Sequence, residues 1–499
     1  MREEITVFLD GHRTKALKGQ TLSEIAGGER PCGGKGRCGK CKLWAQGELS
    51  PVTEEERQHL SPEELASGAR LGCMARALGD CEIRTETAGT MRILLEGRMP
   101  EGGRNPRFSS YGVAVDLGTT TLAARLYGAD GRLLAEEAEK NPQSVYGADV
   151  VSRIEAALGG KGRDLAVSVR GAVNRMIASL ASKAGIEPRG ISGAVVTGNT
   201  VMLSLLTETE VEPFSHAPFR TARLFGETLT AGELGLSCLE AEAPVYLPPC
   251  ISAFVGADTV CALLATELCE GKSALLADIG TNGEMALWHE GRLTVCSTAA
   301  GPAFEGVGIS QGMRGETGAV DRVFILNGKI HAHAIGEGAP QGICGSGLVD
   351  AAAAMLDLEL LDESGYLEEA CLIAGNVFVT PEDVRALQLA KSAIAAGLLT
   401  LLHEAGLGSG ERLPLFIAGG FGAYLNMRNA ERIGLLPRGL ARGATAVGNA
   451  ALAGASVLLL DREAEERAAL LARRAQVVEL ATHPTFAEKF MEAMAFTEI

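Results

Sequence analysis

Short apolar runs separated by turn residues predict many β-strands along this chain. Ile5-Thr-Val-Phe-Leu, the turn at Asp10-Gly11 and the segment after it predict a hairpin near the start. Two further apolar runs, 111–115 and 274–277, each lead into Asp-x-Gly-Thr and then into a second strand, a turn and a third strand. Such an internal repeat predicts two similar lobes that face one another.

Sequences typical of helices occur between these predicted strands. Thr53 and Ser61 each stand three residues before a glutamate, the spacing of a capping box, and predict one or two helices ahead of Cys73. Thr380 followed by Pro381 predicts a helix that runs to about 402 and precedes a buried strand from 415. The small-residue segment 441–450 is also predicted to be helical.

Composition narrows the class of protein. The chain has 499 residues, 46% of them apolar and 22% charged, which excludes a disordered chain and suggests roughly three domains. A net charge of −16 argues against a nucleic-acid partner. The first residues lack the apolar core of a signal peptide, and the uncharged stretch 443–460 contains polar and glycine residues that favour a buried helix. We therefore expect a cytoplasmic protein that does not enter a membrane.

A group of cysteines near the start points to metal binding. Cys32, Cys38 and Cys41 lie within ten residues, and Cys73 follows at a distance. Four thiolates are what a [2Fe–2S] cluster needs, and the glycines between them let the loop fold tightly round it. A structural zinc site and a plain surface loop are the alternatives. Cys81 is the rival for the fourth ligand, and Cys73 is favoured.

The repeated Asp-x-Gly-Thr sequences are suited to holding phosphate. A glycine lets a phosphate approach the backbone, threonine hydroxyls and N–H groups contact its oxygens, and the aspartate can hold Mg²⁺ or orient water. A pair of purely structural hairpins is the alternative. The predicted phosphate-loop residues are Asp116, Gly118, Thr119 and Thr120 in the first copy, and Asp278, Gly280, Thr281 and Asn282 in the second.

Other positions carry weaker signals. Gly345 and Ser346 either present a helix N-terminus to a phosphate or form a packing turn. Asp258 is either a carboxylate of the cleft or a helix cap, and Lys391 either reaches a nucleotide or is solvated. The stretch 196–200 is expected to line the cleft. His331 and His333 are expected to be exposed on one strand face.

Two resemblances follow from these motifs. The cysteine loop with its flanking strands resembles a β-grasp ferredoxin, with the five-residue first gap of adrenodoxin-like members. The two aspartate loops, together with Gly419 and Gly420 after a buried strand, resemble the acetate and sugar kinase, Hsp70 and actin superfamily. There the paired glycines pack against adenosine. The implied fold is an α+β β-grasp ferredoxin domain (1–87), a linker (88–110) and an α/β two-lobed actin-like, duplicated ribonuclease H-like ATPase (111–272 and 273–499).

The combination resembles the reductive activators of corrinoid proteins. Shared sequences are Cys-Gly-Gly-x-Gly-x-Cys-Gly-x-Cys at 32–41, Asp-x-Gly-Thr-Thr-Thr at 116, Asn-Pro-Gln-Ser-Val-Tyr-Gly-Ala-Asp at 141–149, Phe-Val-Gly-Ala-Asp at 254–258, Asp-Ile-Gly-Thr-Asn-Gly-Glu at 278–284 and Ile-Cys-Gly-Ser-Gly-Leu at 343–348. The resemblance implies that ATP drives transfer of one electron from the cluster to Co(II) of a corrinoid protein, restoring Co(I) for a methyltransferase system. It implies Asp116 and Asp278 as catalytic residues, Mg²⁺ as a cofactor and a low-potential electron donor, and it leaves a homodimer open. Larger members carry an additional linker and middle segment between the ferredoxin and the first phosphate loop, whereas here only about residues 88–110 are available for them.

Three alternatives remain at this point. The first is an adaptor that transfers electrons or senses nucleotide with a vestigial ATPase lobe. The second is a small-molecule kinase, which leaves the cysteine loop unexplained. The third is an activator of radical dehydratases, which shares a [4Fe–4S] cluster across a dimer interface, whereas here four cysteines lie in one chain.

Overall fold

The computed structural model describes residues 4–9, 12–26, 33–37, 39, 41–60, 62–66, 68–84, 105–408 and 410–499. The predicted turn at Asp10-Gly11, the cap at Ser61, two of the four cysteines (Cys32 and Cys38) and most of the proposed linker lie outside these residues.

The N-terminal part forms a mixed five-stranded sheet of the ferredoxin-like β-grasp type. Its elements are β1 (Glu4–Leu9), β2 (His12–Leu17), α1 (Leu22–Ala26), β3 (Lys42–Leu49), α2 (Glu54–His59), α3 (Pro62–Ala66), β4 (Ala69–Leu71) and β5 (Ala77–Arg84). The strand order is β2-β1-β5-β3-β4, with β1 antiparallel to β2 and parallel to β5. Thr53 caps α2 in a capping box with Glu56, which confirms that prediction.

The first lobe is built on a six-stranded sheet. Its elements are β6 (Tyr111–Leu117), β7 (Thr121–Gly128), β8 (Leu133–Lys140), α4 (Val150–Ala156), α5 (Gly162–Ala184), β9 (Ile191–Gly198), α6 (Thr200–Thr207), β10 (Glu227–Thr230), β11 (Pro244–Leu247) and α7 (Ala257–Thr266). The order is β10-β11-β9-β6-β7-β8, with β6, β7 and β8 antiparallel and β9 parallel to β6.

The second lobe repeats this plan. Its elements are β12 (Ser273–Ile279), β13 (Gly283–His289), β14 (Arg292–Thr298), β15 (Ala319–Leu326), β16 (Lys329–Ala334), β17 (Gly342–Ile343), α8 (Gly345–Asp357), β18 (Cys371–Ala374), β19 (Val377–Val379), α9 (Pro381–Glu404), β20 (Leu415–Ala418), α10 (Met427–Arg432), β21 (Ala444–Gly448), α11 (Ala450–Leu460), α12 (Ala464–Arg474), β22 (Gln476–Val477) and α13 (Pro484–Glu492). The order β21-β20-β12-β13-β14 matches β11-β9-β6-β7-β8 strand for strand, so the repeat in sequence is a repeat in topology.

The helix predicted over 441–450 is wrong for most of its length. Residues Ala444–Gly448 form β21, which pairs in parallel with β20, and the helix begins only at Ala450. Asn449 separates the two elements, because its side-chain oxygen accepts a hydrogen bond from the Leu452 N–H and caps α11. Small residues are compatible with both states, and pairing with β20 decides between them.

Two helices lie between the sheets and join the lobes. Helices α7 and α11 pack on each other, and with both sheets they share one buried apolar cluster. At their crossing, a methyl group on Gly454 would lie 1.9 Å from the Cys261 carbonyl oxygen, so this contact requires glycine.

Helix α9 forms the core of the second lobe on the other face of its sheet. It begins at Pro381 with Thr380 as its cap, as predicted. Within the described residues, it is the one helix long and apolar enough to cross a membrane, and 83% of its apolar window is buried inside the protein. This burial is typical of a core helix.

Candidate functional site

The two Asp-x-Gly-Thr turns face each other across a cleft of about 290 Å³ between the lobes. The first turn joins β6 to β7 and the second joins β12 to β13, and their threonine hydroxyls, Thr120 Oγ1 and Thr281 Oγ1, are 3.5 Å apart. The cleft is lined by every residue predicted for nucleotide binding, namely Asp116, Gly118, Thr119, Thr120, Asp278, Gly280, Thr281, Asn282, Gly345, Ser346, Gly419 and Gly420. The fold therefore brings together residues that lie more than 300 positions apart in the chain.

The first phosphate loop is held from behind by polar side chains. Asn141 Nδ2 donates to the Gly118 carbonyl oxygen at 2.9 Å, and Arg153 Nη2 donates to that of Thr119 at 2.6 Å. Asn199 Nδ2 donates to Thr119 Oγ1 at 3.0 Å. These donors leave the backbone N–H groups of the turn available to a ligand. The expectation that the segment around Asn199 lines the cleft is confirmed for that residue.

Glu305 bridges the two phosphate loops, and sequence reasoning missed it. Its Oε2 accepts a hydrogen bond from Thr120 Oγ1 at 2.7 Å, and its Oε1 accepts one from Thr281 Oγ1 at 3.0 Å. One carboxylate therefore contacts both hydroxyls that face the expected phosphates. Glu305 ends a short 3₁₀ turn after Pro302, in a segment with no recognisable motif.

Carboxyl groups gather at the floor of the cleft. The pKa of Asp116 is raised to about 7, mainly by burial and also by the charges of Asp258 and Asp278, while a hydrogen bond from Asn449 Nδ2 opposes the rise. Burial and the charge of Asp258 raise the pKa of Asp278 to about 7. Burial likewise raises the pKa of Asp258 to about 6 and that of Glu284 well above its usual value.

Asp258 was predicted as either a cleft carboxylate or a helix cap. Gly256 is the cap of α7, and Asp258 lies in the first turn of that helix and lines the cleft, so the first alternative holds. Like-charged carboxyls that interact in a buried site are costly unless protons or a cation neutralise them. In nucleotide sites Mg²⁺ is held by one or two carboxylates together with phosphate oxygens and water, so this floor fits a magnesium ion that binds with the nucleotide, not a metal held by protein ligands alone.

Glycines and aromatic rings form another part of the cleft wall, beside Asp278. Gly419 has a φ of +91°, and a methyl group there would lie 2.8 Å from Asp278 Oδ1. Phe421 stacks on Phe304, with ring centroids 4.5 Å apart. At the N-terminus of α8, a methyl group on Gly345 would lie 2.1 Å from the Phe304 carbonyl oxygen, so helix and ring wall pack tightly.

Ser346 combines the two alternatives predicted for it. It lines the cleft at the start of α8, while its hydroxyl donates to the Asp321 carbonyl oxygen at 2.9 Å. The N-terminus of the helix therefore faces the cleft, and the serine hydroxyl serves packing.

Both predictions for Lys391 are wrong. The side chain is fully buried in α9 away from the cleft, where Nζ donates to the Ala495 carbonyl oxygen at 2.6 Å and lies 4.8 Å from the Phe496 ring centroid. Burial lowers its pKa to about 7. His331 and His333 are exposed on one face of β16, as predicted.

Cys41, at the end of the cysteine loop, and Cys73, between β4 and β5, are neighbouring buried thiols. Cys41 Sγ and Cys73 Sγ are 3.1 Å apart, and the Cys73 N–H is directed at Cys41 Sγ. Gly36 has a φ of +68°, and a methyl group on it would lie 2.8 Å from Met74 Sδ, so the loop requires glycine there. Cys81 instead lies on β5 within the apolar core of the sheet.

The residues that the structure describes therefore fit a thiolate-held cluster. Two thiols sit at the base of a tightly curved glycine loop, and the other two predicted ligands, Cys32 and Cys38, belong to the same loop but lie outside the described residues. Within the described part of the chain, no group of three or more histidine, cysteine or acidic side chains is arranged to hold a metal.

A ferredoxin-like sheet ahead of two matching lobes, with an acidic, glycine-lined cleft between them, defines an actin-like protein of the ASKHA class joined to a ferredoxin-like β-grasp domain. Family comparison agrees: the C-terminal domain of RACo, its ASKHA domain, matches residues 272–499, and the RACo middle region matches 111–271. The chain belongs to the RACo family of reductive activators of corrinoid proteins. The middle region is thus present, and it coincides with the lobe that carries the first phosphate loop.

Individual relatives support this membership. The corrinoid activation enzyme RamQ of Eubacterium limosum is 35% identical over 415 residues, covering 76% of this chain and 69% of RamQ. The [Co(II) methylated amine-specific corrinoid protein] reductase of Methanosarcina barkeri is 29% identical over 414 residues, covering 75% of each chain. A solved structure of a reductive activator for corrinoid, iron–sulfur protein superposes with a TM-score of 0.72 at 27% identity, covering 99% of both chains.

Proposed function

We propose that this protein is an ATP-dependent reductive activator of a corrinoid protein. It delivers one electron from a [2Fe–2S] cluster to Co(II) and so restores Co(I) in a methyltransferase system. The observation that carries the proposal is the joining of two sites in one chain. Cys41, at the end of the glycine loop, lies beside the buried Cys73, and a two-lobed cleft presents two phosphate loops and four carboxyl groups. The named relatives are corrinoid activators and reductases.

Within this function, each part of the cleft has a role. We assign the phosphates of ATP to the turns after Asp116 and Asp278, and the adenosine to the turn at Gly419 and Gly420. Asp116 and Asp278 hold Mg²⁺ directly or through water, with Asp258 and Glu284 completing the negative floor. Glu305 exchanges its two threonine partners for a place beside the terminal phosphate.

The cluster site is assigned to Cys32, Cys38, Cys41 and Cys73. When bound there, the cluster supplies reversible one-electron chemistry. Cys81 takes no part because it belongs to the core of the sheet.

Nucleotide binding in the cleft can offset the free-energy cost of an uphill electron transfer. Moving one electron uphill by 100 mV costs about 2.3 kcal/mol. Nucleotide binding offsets such a cost only if it favours one conformation of the complex over another. Closure of the two lobes round ATP provides that difference, because each lobe supplies one phosphate loop.

The wider assignments belong to the same proposal. They are a corrinoid protein as partner, a low-potential electron donor, a cytoplasmic location and a division of the chain into 1–87, 88–110, 111–272 and 273–499. A homodimer is compatible with them.

The ligand assignment is tested by a matched pair of cysteine variants. After anaerobic reconstitution, Cys73→Ser should lose the visible absorbance of the cluster and all ATP-stimulated formation of Co(I), because serine is a poor substitute for a thiolate ligand. Cys81→Ser, the matched control, should keep both.

Other outcomes contradict the proposal in distinct ways. A colourless wild-type protein after reconstitution would refute the cluster. Normal Co(II) reduction with no ATP turnover would instead favour the electron-transfer adaptor.

A further inference from the structure

The cysteine loop contacts the first lobe through Lys35 and passes close to it at Gly33. Lys35, between Cys32 and Cys38 in the sequence, places Nζ 2.9 Å from each carboxylate oxygen of Glu155 on α4. Two residues earlier in the loop, a methyl group on Gly33 would lie 3.6 Å from the Tyr146 carbonyl oxygen. The loop thus lies against the surface formed by Tyr146 and Glu155.

The same helix supports the first phosphate loop from its other side. Arg153, two residues before Glu155, is fully buried and donates to the Thr119 carbonyl oxygen at 2.6 Å and to that of Gly147 at 3.0 Å. Asp149 caps the start of α4. Helix α4 runs directly into a π-helical turn (157–161) that is kinked at Gly160 and leads to α5, so Arg153 and Glu155 lie on one helical segment ahead of the kink.

The loop contact is electrostatic and open to solvent. The hydrogen bond and charge of Lys35 lower the pKa of Glu155, and the charge of Arg37 adds to them. The side chains of Lys35 and Glu155 are 45% and 67% exposed. An exposed ion pair is weak and is screened by salt, which suits a contact that forms and breaks.

We propose that the surface formed by Tyr146 and Glu155 is the resting dock of this chain's own cysteine loop, and that nucleotide binding at the first phosphate loop releases the loop through Arg153 and α4. Release would free the cluster-carrying domain to meet its redox partners. The role of this release in electron transfer rests on the proposed function. The docking and release of the loop can be measured without a corrinoid protein and without electron transfer.

Lysine labelling measures the release directly. The reconstituted protein is treated with a limiting amine-acylating reagent, with and without a saturating non-hydrolysable ATP analogue and Mg²⁺, and labelling is quantified by peptide mass spectrometry. Lys35 should be labelled faster with the analogue. Lys161, in a comparable exposed pair with Asp164 on the same lobe, should not change.

A charge series measures the reverse coupling. Linkage requires that breaking the dock changes nucleotide affinity by the factor by which nucleotide weakens the dock. Glu155→Lys should therefore tighten binding of the analogue by about twofold to fivefold, the range of one exposed ion pair. Asp164→Lys makes the same charge change away from the dock and should leave the affinity unchanged. The swap Lys35→Glu with Glu155→Lys should restore the wild-type value.

Specific results would overturn the inference. They are unchanged Lys35 labelling at nucleotide saturation, an equal affinity gain in Asp164→Lys, or a charge swap that fails to restore the wild-type affinity. Lack of any nucleotide binding would instead refute the proposed function.

Discussion

The two phosphate loops share one backbone plan but differ in how their aspartates are surrounded. Asp116 is 9% exposed and accepts a hydrogen bond from Asn449, which the second half of the chain supplies. The backbone of its loop is held by Asn141 and Arg153. Asp278 faces the cleft more openly and, within the described residues, receives no hydrogen bond on its carboxylate, with Asp258 acting on it only through charge.

This difference shows that a duplicated fold need not duplicate chemistry. The first loop is tied by hydrogen bonds to Asn141 and to Arg153 on α4, so ligand binding there is coupled to those elements. The second loop carries the uncompensated negative charge, so a cation gains most there. We therefore expect Mg²⁺ to depend more on Asp278 than on Asp116.

The largest expected effect comes from removing each aspartate charge in turn. Asp278→Asn should lower ATP-driven Co(II) reduction by at least about a hundredfold and raise the Mg²⁺ concentration needed, because it removes the main cation ligand. Asp116→Asn should also lower the rate of Co(II) reduction, but it should change the required Mg²⁺ concentration less. The check is a Mg²⁺ titration of the rate of Co(I) formation. Equal Mg²⁺ requirements in the two variants would break the comparison, and normal rates in both would refute the assigned site.

The next effect is a pH dependence of nucleotide binding. With Asp116 and Asp278 at pKa values of about 7, Mg²⁺ must displace protons below that pH. The affinity for Mg²⁺–nucleotide should therefore fall by up to about tenfold per pH unit for each displaced proton between pH 7 and 6. Equilibrium binding at pH 6, 7 and 8 tests this. Nucleotide phosphate titrates in the same range, so Asp278→Asn serves as control and should show a flatter profile.

The same pKa values determine whether the stability of the fold rises or falls with pH. The folded chain keeps protons on these carboxyls up to about pH 7, whereas the unfolded chain loses them near 3.8. Their contribution to stability is fully present below about pH 4 and is lost as the pH rises through 7. Thermal stabilisation by Mg²⁺–nucleotide should therefore be larger at pH 8 than at pH 6, and the opposite order would contradict the assignment.

The smallest expected effect concerns Glu305, which lies between the two phosphate loops. Glu305→Gln removes a negative charge from between Thr120 and Thr281 while keeping a hydrogen-bond acceptor. Nucleotide affinity should rise by about fivefold, as expected for removing one like charge about 4 Å away in a wet site. Glu337→Gln, at an exposed loop position, is the control and should have no effect. Weaker binding by Glu305→Gln would show that Glu305 assists binding.

The sequence predicted those parts of the site whose geometry is local. A tight turn between two strands requires glycine at Gly118, and the neighbouring aspartate and threonines are positioned by the same few residues. The repeat could therefore be recognised from 116 and 278 alone. The start of α9 was predictable for the same reason, because Thr380, Pro381 and Asp383 form a self-contained cap.

The parts that failed depend on contacts between distant segments. Glu305 gains its role only when the lobes face each other, and Asn449 only when its segment passes under Asp116. Lys391 was misplaced because its partners are carbonyls about 100 residues further along the chain, which no local pattern signals. Domain boundaries and the complete cluster ligand set stay predictions.

Gly454 carries a consequence for any attempt to alter this protein. Its helix and α7 touch backbone to backbone, and even one added carbon there would collide with Cys261. Because these helices join the two halves, a substitution at this position, which does not itself line the cleft, would push the halves apart and misalign both phosphate turns. A Gly454→Ala chain that still folds should therefore close its two lobes poorly round a ligand, although every residue that touches the ligand is intact.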